Sequence, residues 1–133
     1  MNTPHIFDSH ALLKLFQREK GWEKVAEILN NMEKPGGRSF LNVINLGEII
    51  YITKREFGDM KKVEVLANIE RMGIIVLPIP NDLVFEAAEL KAKLSISFAD
   101  CFTITSALRQ KATIVTGDPE FKKAEDLVQI EWV

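Results

Sequence analysis

The sequence predicts an α/β protein: a three-layer α/β/α sandwich around a central, mainly parallel sheet of five strands. Short apolar runs alternate with segments of helical periodicity along the whole chain. Strands that alternate with helices form parallel sheets covered on both faces. At 133 residues and 47% hydrophobic content, the chain is large enough for one core, and no repeat or linker divides it. We therefore predict a single domain over residues 1–133.

Five apolar runs bounded by turn-forming or polar residues are predicted as strands. The predicted strands are residues 4–8, 38–43, 74–79, 113–116 and 128–132, the last at a sheet edge. The third run is rich in β-branched residues and is closed by Pro78 and Pro80. Proline cannot donate to a strand ladder, so this strand should end there.

Between these strands, apolar residues recur three to four positions apart, which predicts helices. The predicted helices are residues 9–16, 22–32, 45–57, 59–72, about 81–94, 98–110 and 119–126. Asn81-Asp82 is the expected cap of the fifth helix, and Gly73 the expected stop of the fourth. The sixth helix, from Phe98, has almost no polar face and should be buried. The inner faces predicted for the third and fourth helices are Leu46, Ile49, Thr53, Phe57 and Met60, Val63, Leu66, Ile69.

Charge and composition argue against a disulfide-bonded, exported or membrane-spanning protein. A net charge of −2 gives no overall basic field for nucleic acid or an anionic membrane. The single cysteine, Cys101, excludes an intramolecular disulfide, and its apolar neighbours indicate a buried thiol in a reducing compartment. The first ten residues lack the pattern of an export signal, and the most apolar run, 74–79, is too short to span a bilayer. We expect a soluble, cytoplasmic protein with no membrane association.

Four of the 19 acidic residues stand inside or beside apolar stretches, whereas the other 15 have polar neighbours. They are Asp8, Glu48, Asp100 and Asp118. An ionised carboxylate in a partly buried position is costly unless it is paired or binds a cation. The predicted elements place these acids at the end of one strand and the starts of three helices, and ligands bind at that edge of parallel sheets. The sequence therefore predicts a shared metal site.

Carboxylate oxygens without an accompanying His or Cys cluster favour Mg²⁺ or Mn²⁺ over Zn²⁺. Such an ion would suit the hydrolysis of phosphodiester bonds. Each acid also has a simpler interpretation. Asp8 and Asp118 have the sequence context of helix N-caps, and Glu48 could be a solvated residue of an amphipathic helix. Asp100 is harder to explain in this way, because it lies within the apolar run Phe98 to Ile104.

The chain resembles small PIN-domain ribonucleases of the VapC toxin type over its whole length, from Ile6 to Trp132. Four motifs carry this resemblance. They are Phe7-Asp8-Ser9, Asn45-Leu46-Gly47-Glu48, Phe98-Ala99-Asp100-Cys101 with the following Thr-Ile-Thr-Ser-Ala-Leu, and Thr116-Gly117-Asp118-Pro119-Glu120-Phe121. Each motif is weak alone, and the four together in this order are specific. The resemblance implies a PIN-like fold and Mg²⁺-dependent cleavage of RNA, with Mn²⁺ able to substitute.

Further expectations follow from the resemblance alone. Asp8 and Asp100 would be the most direct metal ligands, whereas Glu48 and Asp118 would bind a second ion or orient a water molecule. The polar groups Ser9, Asn45 and Thr116 would hold these carboxylates in place. The resemblance also implies a homodimer, silenced by a small antitoxin protein that lies over the site.

Contacts with RNA are less defined by the sequence. Lys14, Arg18 and Arg55 are the residues we expect to contact RNA phosphates, although a solvated surface role is the simpler interpretation of each. His10 is expected to be a structural histidine, with a place beside the metal pocket as the alternative.

Three other functions compete with this interpretation. A response-regulator receiver would need two adjacent acids after the first strand and an Asp after the third. The chain instead has Asp8-Ser9 and Pro78-Ile79-Pro80 at these places, so that interpretation fails. A stand-alone PIN nuclease of RNA processing or decay stays open. A catalytically silent interaction module also stays open, although the intact set of four acids argues against it.

Overall fold

The computed structural model describes residues 3–133. It confirms the predicted α/β class, with helices on both faces of a five-stranded sheet. The elements in chain order are β1 (His5–Phe7), α1 (Ser9–Phe16), α2 (Trp22–Met32), β2 (Ser39–Asn42), α3 (Val43–Phe57), α4 (Asp59–Arg71), β3 (Ile75–Leu77), α5 (Asn81–Lys93), α6 (Phe98–Gln110), β4 (Thr113–Thr116), a 3₁₀ helix (Pro119–Ala124) and β5 (Ile130–Trp132).

The sheet has the strand order β3-β2-β1-β4-β5, and its four strand pairs are all parallel. From β1 the chain adds β2 and β3 on one side, then crosses to add β4 and β5 on the other. The order therefore reverses at β1, and ligands of such sheets bind beyond the carboxyl ends of the strands at that point. β5 lies at an edge as predicted, and β3 forms the opposite edge.

Two apolar cores cover the two faces of the sheet. Successive side chains of a strand point to opposite faces, so Ile6 joins the core under α5 and α6, whereas Phe7 joins the core under α1 to α4. Ile114 and Val115 of β4 divide in the same way. Every residue from Cys101 to Ala107 of α6 is buried, as the lack of a polar face predicted.

The face predicted for α4 is correct at Ile69 and wrong at Met60 and Val63. Met60 and Val63 are 90% and 61% exposed, whereas Val65 and Ile69 are buried. An α-helix completes a turn every 3.6 residues, so residues spaced exactly three apart do not stay on one face. The four predicted residues are therefore spread over half of the helix circumference. Val65 and Ile69 are four positions apart and lie on one face. On α3, Ile49 and Thr53 are buried as predicted, but Phe57 at the last helical position is exposed.

Several predicted boundaries also differ. β3 is shorter than the predicted 74–79, since an edge strand pairs only with β2, over Ile75 to Leu77. α5 has Pro80 as its N-cap, so Asn81-Asp82 does not cap it, and Asp82 is paired with Arg109 instead. Gly73 follows the last residues of α4 with a φ of +71°, as expected of a helix stop. No helix within residues 3–133 combines the length and apolar character needed to cross a bilayer.

Candidate metal-binding active site

All four predicted acids line one cavity of about 620 Å³. Asp8 follows β1, Asp118 lies two residues after β4, and the helices α3 and α6 contribute Glu48 and Asp100. The cavity thus lies at the carboxyl edge of the sheet, where the strand order reverses. A fifth acid, Glu120, also lines it. Its other polar or basic lining residues are Ser9, His10, Lys91, Ser95, Ser97.

Asp8 is the most buried of the acids, with 2% of its surface exposed. One carboxylate oxygen, Oδ1, accepts a hydrogen bond from Ala11 N at 2.8 Å and so caps α1. The other, Oδ2, accepts a short hydrogen bond from Thr116 Oγ1. Burial raises the pKa of Asp8 from 3.8 to about 7, the two hydrogen bonds oppose this rise, and the charges of Asp100 and Asp118 add to it. The capping interpretation is therefore correct, and it coexists with a place in the cavity.

Glu48 lies in the second turn of α3, not in the first as predicted, because the helix begins at Val43 with Asn42 as its N-cap. Its Oε1 accepts hydrogen bonds from Ser9 Oγ at 3.0 Å and from Asn45 Nδ2 at 2.8 Å. Within the described residues, Oε2 accepts none. Glu48 is partly buried and held by two donors, so it is not a solvated surface residue.

Asp100 lies in the first turn of α6, which Ser97 caps by accepting a hydrogen bond from Asp100 N at 3.1 Å. Burial raises the pKa of Asp100 from 3.8 to about 6, and the charges of Asp118, Glu48 and Glu120 add to the rise. The sequence Ser97-Phe-Ala-Asp100 has the spacing of a capping box, a signal that could have identified Ser97 beforehand.

Asp118 caps the 3₁₀ helix, since its Oδ1 accepts a hydrogen bond from Glu120 N at 3.0 Å. Pro119 takes the first helical position, as the sequence predicted. The backbone N–H of Asp118 donates to Thr116 Oγ1 at 3.0 Å, and the same hydroxyl donates to Asp8. Thr116 thereby connects two of the four acids. Ser9, Asn45 and Thr116, the polar groups expected to hold the acids in place, each donate a hydrogen bond to a carboxylate oxygen of Glu48 or Asp8.

The donor chemistry of the cavity fits a hard divalent cation. Its candidate ligands are carboxylate oxygens. Burial is the main cause of the raised pKa of Asp100, the neighbouring carboxylates add to it, and a bound cation would offset both effects. Within residues 3–133, however, no three His, Cys, Asp or Glu side chains are close enough to hold one ion together. Mg²⁺ needs no such cage, because it keeps several waters and commonly takes one or two carboxylates.

None of the three cationic residues predicted to contact RNA lines the cavity. Lys14 Nζ donates to the carbonyl of Val133 at 3.0 Å, Arg18 lies over the Trp22 ring at 4.1 Å, and Arg55 lies over Tyr51 at 5.4 Å. The cation that does line the cavity is Lys91 of α5. Nothing in its sequence context distinguishes it from Lys93, the other lysine of that helix.

His10 lines the cavity with an exposed side chain, so its ring lies beside the acids. Cys101 is fully buried as predicted, and burial raises the pKa of its thiol. The hydroxyl of Thr103 donates a buried hydrogen bond to Asn45 Oδ1 at 2.8 Å. This contact was not predicted from the sequence.

The family model of the PIN domain matches residues 6–127, which is nearly the whole chain. The chain belongs to the PIN domain family. None of the curated proteins matches it in sequence.

Solved structures of similar fold include toxins and toxin–antitoxin complexes. VapBC2 of Rickettsia felis, bound to a promoter DNA fragment, is 16% identical with a TM-score of 0.79, over 96% of this chain and 97% of the other. VapC20 of Mycobacterium tuberculosis, a toxin that cleaves the sarcin–ricin loop, is 18% identical with a TM-score of 0.73, over 90% and 94%. FitAcB of Neisseria gonorrhoeae is 18% identical with a TM-score of 0.68, over 95% of each chain. These likenesses establish the fold that this PIN domain shares with VapC toxins.

Proposed function

We propose that this PIN domain is a metal-dependent endoribonuclease that hydrolyses RNA phosphodiester bonds, and that it is the toxin of a toxin–antitoxin pair. The observation that carries the proposal is the convergence of Asp8, Glu48, Asp100 and Asp118, from four separate elements, on one cavity. Family membership supports a nuclease, and the structural likeness to VapC toxins supports the toxin role. Mg²⁺ is the proposed cofactor, with Mn²⁺ as its substitute.

In this proposal Asp8 and Asp100 bind the cation, and Glu48 and Asp118 bind a second one or orient the attacking water. A bound divalent ion would supply a more acidic water and stabilise negative charge on the phosphate oxygens. The protein's own contribution is to hold the carboxylates. Thr116 fixes Asp8, whereas Ser9 and Asn45 fix Glu48, so the acids need little rearrangement when a substrate arrives.

The partners we propose are an RNA substrate, a second copy of the chain and a small antitoxin. The complexes with antitoxins formed by the similar VapBC and FitAB proteins support the last of these. A stand-alone PIN nuclease is the alternative. A neighbouring reading frame that encodes a short DNA-binding protein, and that relieves toxicity when co-expressed, would decide for the toxin. Sedimentation of the purified chain would give its oligomeric state.

The decisive experiment is cleavage of total cellular RNA by the purified protein, with Mn²⁺, with Mg²⁺ and with EDTA. Asp100→Asn should abolish metal-dependent cleavage while the circular dichroism spectrum stays unchanged, since it removes one ligand charge without changing the shape of the side chain. Asp126→Asn is the matched control, because Asp126 is exposed and does not line the cavity. Cleavage that survives in folded Asp100→Asn, or that is equally rapid in EDTA, would contradict the proposal.

A further inference from the structure

Three side chains form a hydrogen-bond relay that begins in the core at Thr103 and ends on the partly buried Glu48. Thr103 Oγ1 on α6 donates to Asn45 Oδ1 on α3 at 2.8 Å, and Asn45 Nδ2 donates to Glu48 Oε1 at 2.8 Å. Thr103 is fully buried and Asn45 is 1% exposed, so the bond between them is shielded from water, whereas the bond from Asn45 to Glu48 is partly buried. Thr103 is one helical turn beyond Asp100. The relay therefore links the helix of one acid to the side chain of another.

The chemistry of the three groups fixes the direction of the relay. A carboxylate only accepts hydrogen bonds, so the amide nitrogen of Asn45 must face Glu48 and its carbonyl oxygen must face away. That oxygen is buried and needs a donor, which the Thr103 hydroxyl supplies. The competing acceptor for this hydroxyl, Ala99 O, is more distant at 3.4 Å. Without the hydroxyl, nothing else among the described residues donates to Asn45 Oδ1.

We propose that Thr103 is a positioning residue of the active site: it orients the Asn45 amide, which together with Ser9 occupies Glu48 Oε1 and leaves Oε2 for the cation or its water. The inference rests on the proposed metal-dependent nuclease activity. It adds a requirement beyond the four acids. The geometry of Glu48 would depend on the Thr103 hydroxyl, a neutral group that does not line the cavity.

A second buried threonine of α6 provides a matched control for Thr103. Thr105 is on the same helix, is 4% exposed, and donates its hydroxyl to the backbone carbonyl of Cys101 at 2.8 Å. Thr103→Val and Thr105→Val therefore remove the same group from similar surroundings, and only the first touches the relay. Thr103→Ser keeps the donor and should restore the wild-type behaviour. If Thr103→Val does not fold, Thr103→Ala removes the same hydroxyl with a smaller side chain.

The first measurement is binding of Mn²⁺ to the RNA-free protein by calorimetry, alongside the Mn²⁺ concentration that gives half-maximal RNA cleavage. For Thr103→Val we expect both to weaken by about 10- to 100-fold, the range for loss of a group that orients a metal ligand. Thr103→Ser and Thr105→Val should stay close to wild type. The second measurement is the NMR signal of the Asn45 side-chain amide, assigned with Asn45→Asp. Its hydrogens should exchange slowly in wild type and in Thr105→Val, and quickly in Thr103→Val.

The outcomes separate the two hypotheses. If the wild type binds Mn²⁺ and cleaves RNA but Thr103→Val behaves like Thr105→Val, the positioning role is overturned and the proposed function stands. If the wild type neither binds Mn²⁺ nor cleaves RNA, both fail together. Weaker Mn²⁺ binding confined to Thr103→Val, with faster exchange at Asn45 and rescue by serine, would establish the relay.

Discussion

The fold places Asp8 and Asp100 where the charged form of a carboxylate is less stable than it is in water. Burial is the main reason that both have raised pKa values, about 7 and about 6, and the neighbouring acids add to it. Each therefore binds its proton more tightly in the folded than in the unfolded chain, where the pKa is about 3.9. The stability they contribute is complete below about pH 4 and is lost as the pH rises through 6 to 7.

We expect the metal-free protein to lose stability as the pH is raised from about 5 to 8, and Asp100→Asn to lose less. Urea unfolding in EDTA at several pH values measures this. The lowered pKa values of Asp59 and Asp82 affect stability only below this range. His5, whose pKa burial lowers, acts in the opposite direction in both proteins, so the difference between them reports Asp100 together with its repulsion of Asp8. Equal pH slopes in variant and wild type would contradict the assignment.

Lys91 is the lysine that lines the acidic cavity, and it is exposed enough to reach a phosphate. We expect Lys91→Ala to raise the KM for RNA several-fold with little change in kcat, because it removes a contact to the substrate and none to the reacting groups. The salt dependence of binding should fall by about one charge equivalent. Lys93→Ala, on the same helix but outside the cavity lining, is the control. Unchanged KM and salt dependence in Lys91→Ala would mean that Lys91 does not contact the RNA.

At the scale of elements, two glycines beside the site have opposite surroundings. A Cβ at Gly117, in the turn after β4, would lie 2.7 Å from Lys14 Nζ and 2.9 Å from Val133 O. At Gly47, within α3, a Cβ would meet nothing within 4 Å. Close packing explains why position 117 is a glycine. Gly47 lowers the stability of α3, and no steric contact requires a glycine there.

Gly47→Ala should therefore stabilise the protein by roughly 0.5–1 kcal/mol, the usual gain for alanine over glycine inside a helix. Gly117→Ala should destabilise it by about 1–3 kcal/mol, since the turn carrying Asp118 must shift. Chemical denaturation of both variants tests this. A neutral Gly117→Ala would mean that Lys14 and Val133 yield easily, and that this turn is not closely packed.

The elements also show how far the sequence could predict the molecule. Strand and helix order, the parallel sheet and the buried α6 follow from periodicity, because each is a local pattern repeated along the chain. The inner face of α4 follows only in part: Ile69 was predicted, but apolar residues occur around most of that helix, and only its packing partners bury Val65 and leave Met60 and Val63 exposed. Thr103 and Lys91 were missed for a related reason, since their roles depend on contacts between helices far apart in sequence.

At the scale of the whole molecule, we expect the four acids to couple metal binding to folding. The cavity draws its walls from α1, α3, α5, α6 and the turn after β4, so these elements must all be in place to form it. An ion bound there stabilises the folded chain and has no equivalent site in the unfolded one. The two apolar cores share the strands of one sheet, and we propose that residues 1–133 unfold as a single cooperative domain.

We therefore expect Mn²⁺ at about 100 times its dissociation constant to stabilise the protein by about 2.7 kcal/mol. For a chain of this size, this raises Tm by roughly 10 °C in one transition. Calorimetric melting with Mn²⁺, and with NaCl at equal ionic strength, separates specific binding from screening of the acidic cluster. Asp100→Asn should start from a higher Tm without metal and gain little from Mn²⁺, because it lacks both the repulsion and the ligand. A gain as large in this variant as in the wild type would show that the ion binds elsewhere, and two separate transitions would contradict the single domain.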